Sequence, residues 1–135
     1  MKKNNLIKKV QCLCGGIKMQ IPGKLRFVVN CHCDQCMKTH GNYATYTRCL
    51  KNKIKFLSKK TLRWYKSSNK AKRGFCNKCG ASLFFKVIGG KVIHIAAGMF
   101  NGPTKLKTIN NIFVKEKLDY YKLDSRLPKY NRYPK

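Results

Sequence analysis

The sequence predicts a mainly β domain pinned by metal, on three observations. Short apolar, β-branched and aromatic runs recur between turn residues along the chain. Only one segment, Asp34–His40, reads as a helix, and it is short. Seven of the eight cysteines fall into three tight clusters: Cys12-Leu13-Cys14, Cys31-His32-Cys33-Asp34-Gln35-Cys36 and Cys76-Asn77-Lys78-Cys79-Gly80.

In chain order, the predicted strands are Ile17–Ile21, Leu25–Asn30, Tyr43–Cys49, Ile54–Leu57, Leu62–Lys66, Ser82–Val87, Val92–Ala97 and Ile112–Val114. Gly15-Gly16, Pro22-Gly23, Gly89-Gly90 and Asn101-Gly102-Pro103 punctuate them, and Gly89-Gly90 marks a hairpin. The stretch from Leu118 to Lys135 is rich in Tyr, Lys and Pro, and its last residues are expected to fray. At 135 residues the chain makes one domain that buries roughly two-thirds of its unfolded surface. The expected layout is a basic extension at 1–6, a zinc domain at 7–130 and a basic tail at 131–135.

No segment approaches the ~20 apolar residues that span a bilayer. The opening residues 1–9 are basic with no apolar stretch behind them, which predicts no signal peptide and a reducing, cytoplasmic setting. There, clustered cysteines favour metal over disulfides. The charge is extreme: 31 Lys and Arg against 4 Asp and Glu, formally +27. Two zinc ions add four charges and seven thiolates remove seven, so the loaded protein carries about +24. A Lys-favouring coding bias accounts for many lysines but not for the scarcity of acids. Such a surface attracts nucleic acid, acidic headgroups and anionic metabolites alike, so charge says what approaches and not what the protein does.

C-x-C and C-x-x-C spacings suit convergence on one ion, because the Zn–S bond is about 2.3 Å. Two cysteines plus two give one closed tetrahedral site, and the remaining cluster gives three thiolates with a fourth position open. A closed site holds a fold together, whereas an open one does chemistry. In the central cluster, a strand ending near Asn30 puts Cys31 and Cys33 on one face, with His32 on the other. A turn into a helix at Asp34 then swings Cys36 back toward them, and the helix N-terminus favours thiolate. Cys12 and Cys14 lie more than sixty positions from Cys76 and Cys79, so an ion joining them staples the first hairpin to the later one. Gly15 and Gly80 suit the tight turns after each pair. The expectation is two zinc ions per chain, one structural and one reactive.

Other residues carry weaker signals. Cys49, alone at the end of a strand, is a small buried hydrophobe or, as a fourth ligand, would close the central site. His40 follows Cys36 by four positions, on the same helical face, and is the candidate for the open position or a general base. His32 and His94 read as packed structural histidines. Phe27, Tyr43, Trp64, Phe75, Phe84 and Phe85 read mainly as core.

The order Cys12-Leu13-Cys14-Gly15, then Cys31-His32-Cys33-Asp34-Gln35-Cys36, then Arg73-Gly74-Phe75-Cys76-Asn77-Lys78-Cys79-Gly80-Ala81-Ser82-Leu83 resembles the glutathione-dependent formaldehyde-activating enzyme family. That family shares its domain with centromere protein V. Lesser matches are Gly41, Tyr65-Lys66-Ser67-Ser68, Ala97-Gly98 and Ile112-Phe113-Val114. The resemblance implies a β-tent fold of antiparallel sheets stapled by zinc on Cys12, Cys14, Cys76 and Cys79. A second zinc would sit on Cys31, Cys33 and Cys36. It also implies carbon–sulfur lyase chemistry that joins glutathione's thiol to formaldehyde as S-hydroxymethylglutathione. Glutathione's carboxylates call for nearby cations, and Arg48, Arg63 and Arg73 are the candidates. Two departures stand out: His40 replaces the family's usual Thr before Gly41, and 98–103 lacks the acids common there. The rival expectation is a non-enzymatic, zinc-stabilised nucleic-acid-binding module, supported by charge alone.

Overall fold

A computed structural model describes residues 7–134. The domain is mainly β, with one α-helix. Its strands are β1 (Ile7–Gln11), β2 (Ile17–Pro22), β3 (Val28–Cys31), β4 (Ala44–Leu50), β5 (Lys55–Lys59), β6 (Leu62–Lys66), β7 (Ala71–Cys76), β8 (Ser82–Val87), β9 (Val92–Ala96) and β10 (Thr108–Ile112). The helix, α1, runs over Asp34–His40 as predicted. Cys33 caps its start, and Gly41 ends it at φ 81, a left-handed conformation that costs glycine little.

The strands form two sheets, a three-stranded one in the order β1-β2-β5 and a seven-stranded one in the order β10-β3-β4-β9-β8-β7-β6. Pairing is antiparallel except between β10 and β3, which run parallel. The expected antiparallel sheets are present, with this one parallel pair added at the end of the larger sheet. After β9 the chain crosses over and arrives at β3's free edge alongside it, where the Val28 N–H donates to the Lys107 carbonyl at 2.8 Å.

Between the two sheets lies the main core. Val10, Ile17, Met19 and Ile21 from the small sheet meet Leu83, Phe84, Ile93 and Ile95 from the large one, all buried. Phe84 is its centre, stacked on Trp64 at 5.7 Å and edge-on to Phe56 at 6.2 Å. Burying each such side chain contributes roughly 1.5–3 kcal/mol. Gly74 belongs to this packing: a Cβ there would lie 2.8 Å from Phe84 Cδ2 and 3.0 Å from Trp64 Cζ3. Only a residue without a side chain lets the two rings close over β7. Among the described residues, no helix is long and apolar enough to cross a membrane.

Strand alternation sends neighbouring residues to the opposite face of the large sheet. Cross-strand register there aligns Arg48 with His94, His94 with Phe85, and Phe85 with Arg73, a single row over four strands. The adjoining row runs Asn110, Val29, Tyr46, Ala96. These two rows floor the site described next.

The chain's end closes one side of that face. The Phe113 N–H donates to the Arg132 carbonyl at 3.1 Å, and the Tyr133 ring meets Phe113 edge-on at 4.8 Å. Residues 131–134, expected to fray, are thus tied down by backbone pairing and aromatic contact. Residues 1–6 of the expected basic extension lie outside the described residues.

Candidate metal centres

The turn between β1 and β2 carries Cys12 and Cys14, while Cys76 ends β7 and Cys79 lies in the turn that leads to β8. Their four sulfurs lie within 4.8 Å of one another. Cys12 and Cys14 Sγ are 3.7 Å apart, and Cys14 and Cys76 Sγ are 3.5 Å apart. Tetrahedral Zn–S bonds of about 2.3 Å imply S···S edges of roughly 3.8 Å, so the donor set fits a four-thiolate ion. Backbone N–H groups already point at the sulfurs: Ile17 to Cys12, Gly16 to Cys14, and both Lys78 and Cys79 to Cys76, at 3.3–3.4 Å. Gly15 and Gly80 adopt φ 79 and 80, as such turns require. Burial opposes ionisation of Cys76, but the Cys79 and Lys78 N–H groups and the Thr61 hydroxyl outweigh it and bring the thiol down to about 5.

The second group, Cys31, Cys33 and Cys36, also has its sulfurs within 4.8 Å of one another. The end of β3 supplies Cys31, and the first turn of α1 brings Cys36 back onto it. Cys33, at the cap, accepts the Cys36 N–H at 3.3 Å. Hydrogen bonds from the Cys31 and Cys36 thiols hold Cys33 well below the ordinary thiol range. Among the described residues, no fourth Cys, His, Asp or Glu joins this group. Cys49 stands apart from it, packed at the edge of the main core, where burial raises its thiol to about 11.

One side chain missed as a partner of these cysteines is Arg73, offered above only as a substrate contact. It is buried, 7% exposed. Its Nε donates to Gln35 Oε1 at 2.8 Å, Nη1 to Tyr46 Oη at 3.3 Å and Nη2 to Cys36 Sγ at 3.4 Å, while the guanidinium lies over Phe85. No carboxylate pairs with it among the described residues. A buried cation without a counter-charge is strongly unfavourable. Among the described residues, cysteine sulfur is the potential anion within reach, and a divalent ion on three thiolates would leave a single negative charge for Arg73 to balance. That electrostatic match is the strongest sign that this group fits a metal.

The three sulfurs open onto a cavity of about 560 Å³ on the large sheet's outer face. Cys31, Cys33, Tyr46 and Arg73 line one part of it; Arg26, Arg48, His94 and Asn110 also line it, with apolar walls from Phe27, Phe85, Phe113 and Tyr133. Among the described residues, no Asp or Glu lines it. Arg48 and Arg73 reach the cavity as candidates. Arg63 does not: it is exposed on edge strand β6, its guanidinium turned to the Lys60 and Leu62 carbonyls. Phe27 and Phe85, expected in the core, are cavity walls instead.

His40 is not in contact with the cavity; its Nε2 is 2.8 Å from Tyr46 Oη. Burial, with the charge of Arg73, lowers it to about 4. His94 lines the cavity instead of only packing in its strand; burial, then Arg26 and Arg48, take it to about 4. His32 is fully buried, pointing away from the cysteines as alternation predicts. Tyr121 Oη lies 2.6 Å from its Nδ1, and Asn111 Oδ1 lies 2.8 Å from its Nε2.

The chain is thus a mainly β domain with two cysteine clusters that could each hold a metal ion, one closed and one opening onto an arginine-lined cavity. The profile of the glutathione-dependent formaldehyde-activating enzyme family matches residues 7–116, and the chain belongs to that family. A crystal structure of a Rhodobacter sphaeroides protein has a similar fold, with a TM-score of 0.60 at 17% identity; the alignment covers 74% of this chain and 98% of that one. No curated protein sequence matches this chain.

Proposed function

We propose that this chain is a zinc-dependent carbon–sulfur lyase-type enzyme acting on a glutathione-like thiol and a small aldehyde, as an S-hydroxymethylglutathione synthase would. The observation that carries this reading is the juxtaposition of three thiolate donors, a buried and otherwise unbalanced Arg73, and a cavity opening onto them. Cys12, Cys14, Cys76 and Cys79 hold the structural zinc, and Cys31, Cys33 and Cys36 hold the second. Zinc at the open site supplies Lewis acidity and lowers the pKa of a bound thiol.

The chain's own residues supply the rest. Arg73 compensates the thiolates and fixes Tyr46 by donating to its hydroxyl. The Tyr46 hydroxyl also shares a hydrogen bond with His40 Nε2 at 2.8 Å. Burial and the charge of Arg73 lower His40 to about 4, which favours orienting Tyr46 over accepting a proton at neutral pH. The apolar walls limit competing water. The reaction balances without a redox partner: a C–S bond forms, the carbonyl π bond breaks, and the thiol proton ends on the former carbonyl oxygen.

The test is exchange spectroscopy by NMR on glutathione mixed with formaldehyde, with the uncatalysed rate subtracted. The metal-loaded protein is expected to accelerate adduct formation, and Cys33→Ser to abolish the acceleration. Equal rates for both proteins would overturn this substrate assignment.

A further inference from the structure

At one end of the large sheet, β4, β6 and β8 finish and β7 and β9 begin, so three connections meet there. Backbone bonds tie them together: the Lys51 N–H donates to the Lys91 carbonyl and the Ile88 N–H to the Lys70 carbonyl, both at 2.8 Å. Leu50, Val87 and Ile88 sit at this end, each 44–50% exposed. Leu50 and Ile88 do not line the cavity, so it does not account for their exposure.

Lysines surround them. Lys66, Lys72 and Lys86 stand in one cross-strand row over β6, β7 and β8, with Lys51, Lys70 and Lys91 in the connections. Burial, then the charges of Lys51 and Lys72, lowers Lys86, so these ammonium groups already crowd one another. The chain's 4 acids lie elsewhere. Asp34 opens α1 at the opposite end, just past Cys31, which pairs with the first residue of β4. Glu116 accepts the Asp34 N–H, and Asp119 and Asp124 line a hollow with Tyr121, whose hydroxyl meets His32. No ion pair among the described residues involves any of these lysines.

Aliphatic side chains held in water at a tied-down rim, ringed by unbalanced lysines, fit a surface that is both oily and acidic. We propose that this end of the large sheet docks on an anionic lipid bilayer, with Leu50, Val87 and Ile88 entering the headgroup boundary and the lysines meeting acidic headgroups. A nucleic acid backbone would match the charge but leave the aliphatic groups without partners. Trp64, beside the lysine row, is engaged within the protein rather than offered to a base: it stacks on Phe84 at 5.7 Å, and Lys86 Nζ lies 4.0 Å from its ring centre. Docking does not depend on the lyase reading, although Val87 also lines the cavity and so brings that wall near the bilayer.

The test is flotation of the metal-loaded chain with vesicles at physiological salt. Phosphatidylcholine mixed roughly three to one with phosphatidylglycerol should carry the protein up the gradient, and phosphatidylcholine alone should not. Lys70→Gln/Lys91→Gln should weaken binding by roughly five-fold per lysine. Leu50→Ser/Ile88→Ser should weaken it by about 10-fold while leaving low-salt binding to duplex DNA unchanged. All four positions are exposed, so circular dichroism should match the wild type. The added indole of Ile88→Trp should be quenched by brominated lipid, which reads insertion directly. No binding to acidic vesicles, equal binding to neutral ones, or undiminished binding by Leu50→Ser/Ile88→Ser would each overturn the docking surface. So would a dimer abolished by Leu50→Ser/Ile88→Ser in place of vesicle binding, which would assign this end to a second copy of the chain.

Discussion

Arg73 Nη2 stands 3.4 Å from Cys36 Sγ, and Arg73 has no carboxylate partner among the described residues. The guanidinium therefore belongs to the electrostatics of the three-cysteine group. Arg73→Gln should weaken metal binding at that group by roughly 10- to 100-fold, the usual penalty for removing a group that supports a ligand. Arg73→Lys should recover only part of the loss, because an ammonium cannot reach Gln35, Tyr46 and Cys36 together. Competition with a chromophoric chelator measures both, and unchanged affinity in Arg73→Gln would contradict the assignment.

The two cysteine groups should differ in structural weight. Cys76 joins the two sheets from the core, so Cys76→Ser should unfold or aggregate the protein; closed zinc sites supply on the order of 10 kcal/mol in zinc-finger peptides. Cys36→Ser should remain folded with about one metal per chain. Elemental analysis with circular dichroism checks this, and equal collapse of both variants would defeat it.

Acid should destabilise the fold partly through His40 and His94. Both are lowered from 6.5 to about 4 in the folded state. The unfolded chain therefore takes up protons first as pH falls, so this stabilisation is complete above pH 6.5 and is lost as pH drops toward 4. Urea midpoints across that window should show a slope reduced by about one proton in His94→Gln relative to wild type. Metal loss affects both proteins alike, so identical slopes would mean that His94 titrates as it does in a free chain.

A surface near +24 should bind DNA and RNA at low salt whatever the protein does, driven by counterion release. At physiological salt the affinity should be weak, on the order of 10⁻⁴–10⁻⁶ M, without preference for sequence or strand form. Fluorescence anisotropy across salt checks this. Selective binding near 10⁻⁸ M would favour the nucleic-acid module instead.

The sequence revealed what depends on local spacing. The cysteine groups, the bounds of α1 and the left-handed Gly15 and Gly80 follow from a few neighbouring residues. Strands β1 and β7 escaped detection because Lys8-Lys9 and Ala71-Lys72-Arg73-Gly74 have poor β character; packing sets their conformation, with Gly74 admitted for the rings above it. Strand β10, with its Asn110-Asn111, was placed too late for the same reason. Most of the cavity was hidden too. Arg26, Tyr46, His94 and Asn110 share no motif, and the row joining Arg48, His94, Phe85 and Arg73 exists only once four strands are in register.

The docking of Tyr133 and Pro134 on the cavity rim bears on how the protein is handled. Residues appended beyond Pro134, such as an affinity tag or a fused reporter, would emerge beside the entrance and compete with small molecules for it. An appendage ahead of Ile7 would leave from β1 of the small sheet, none of whose strands contributes a described residue to the cavity lining. Apparent inactivity measured on a C-terminal fusion would therefore describe a blocked doorway rather than the chemistry behind it.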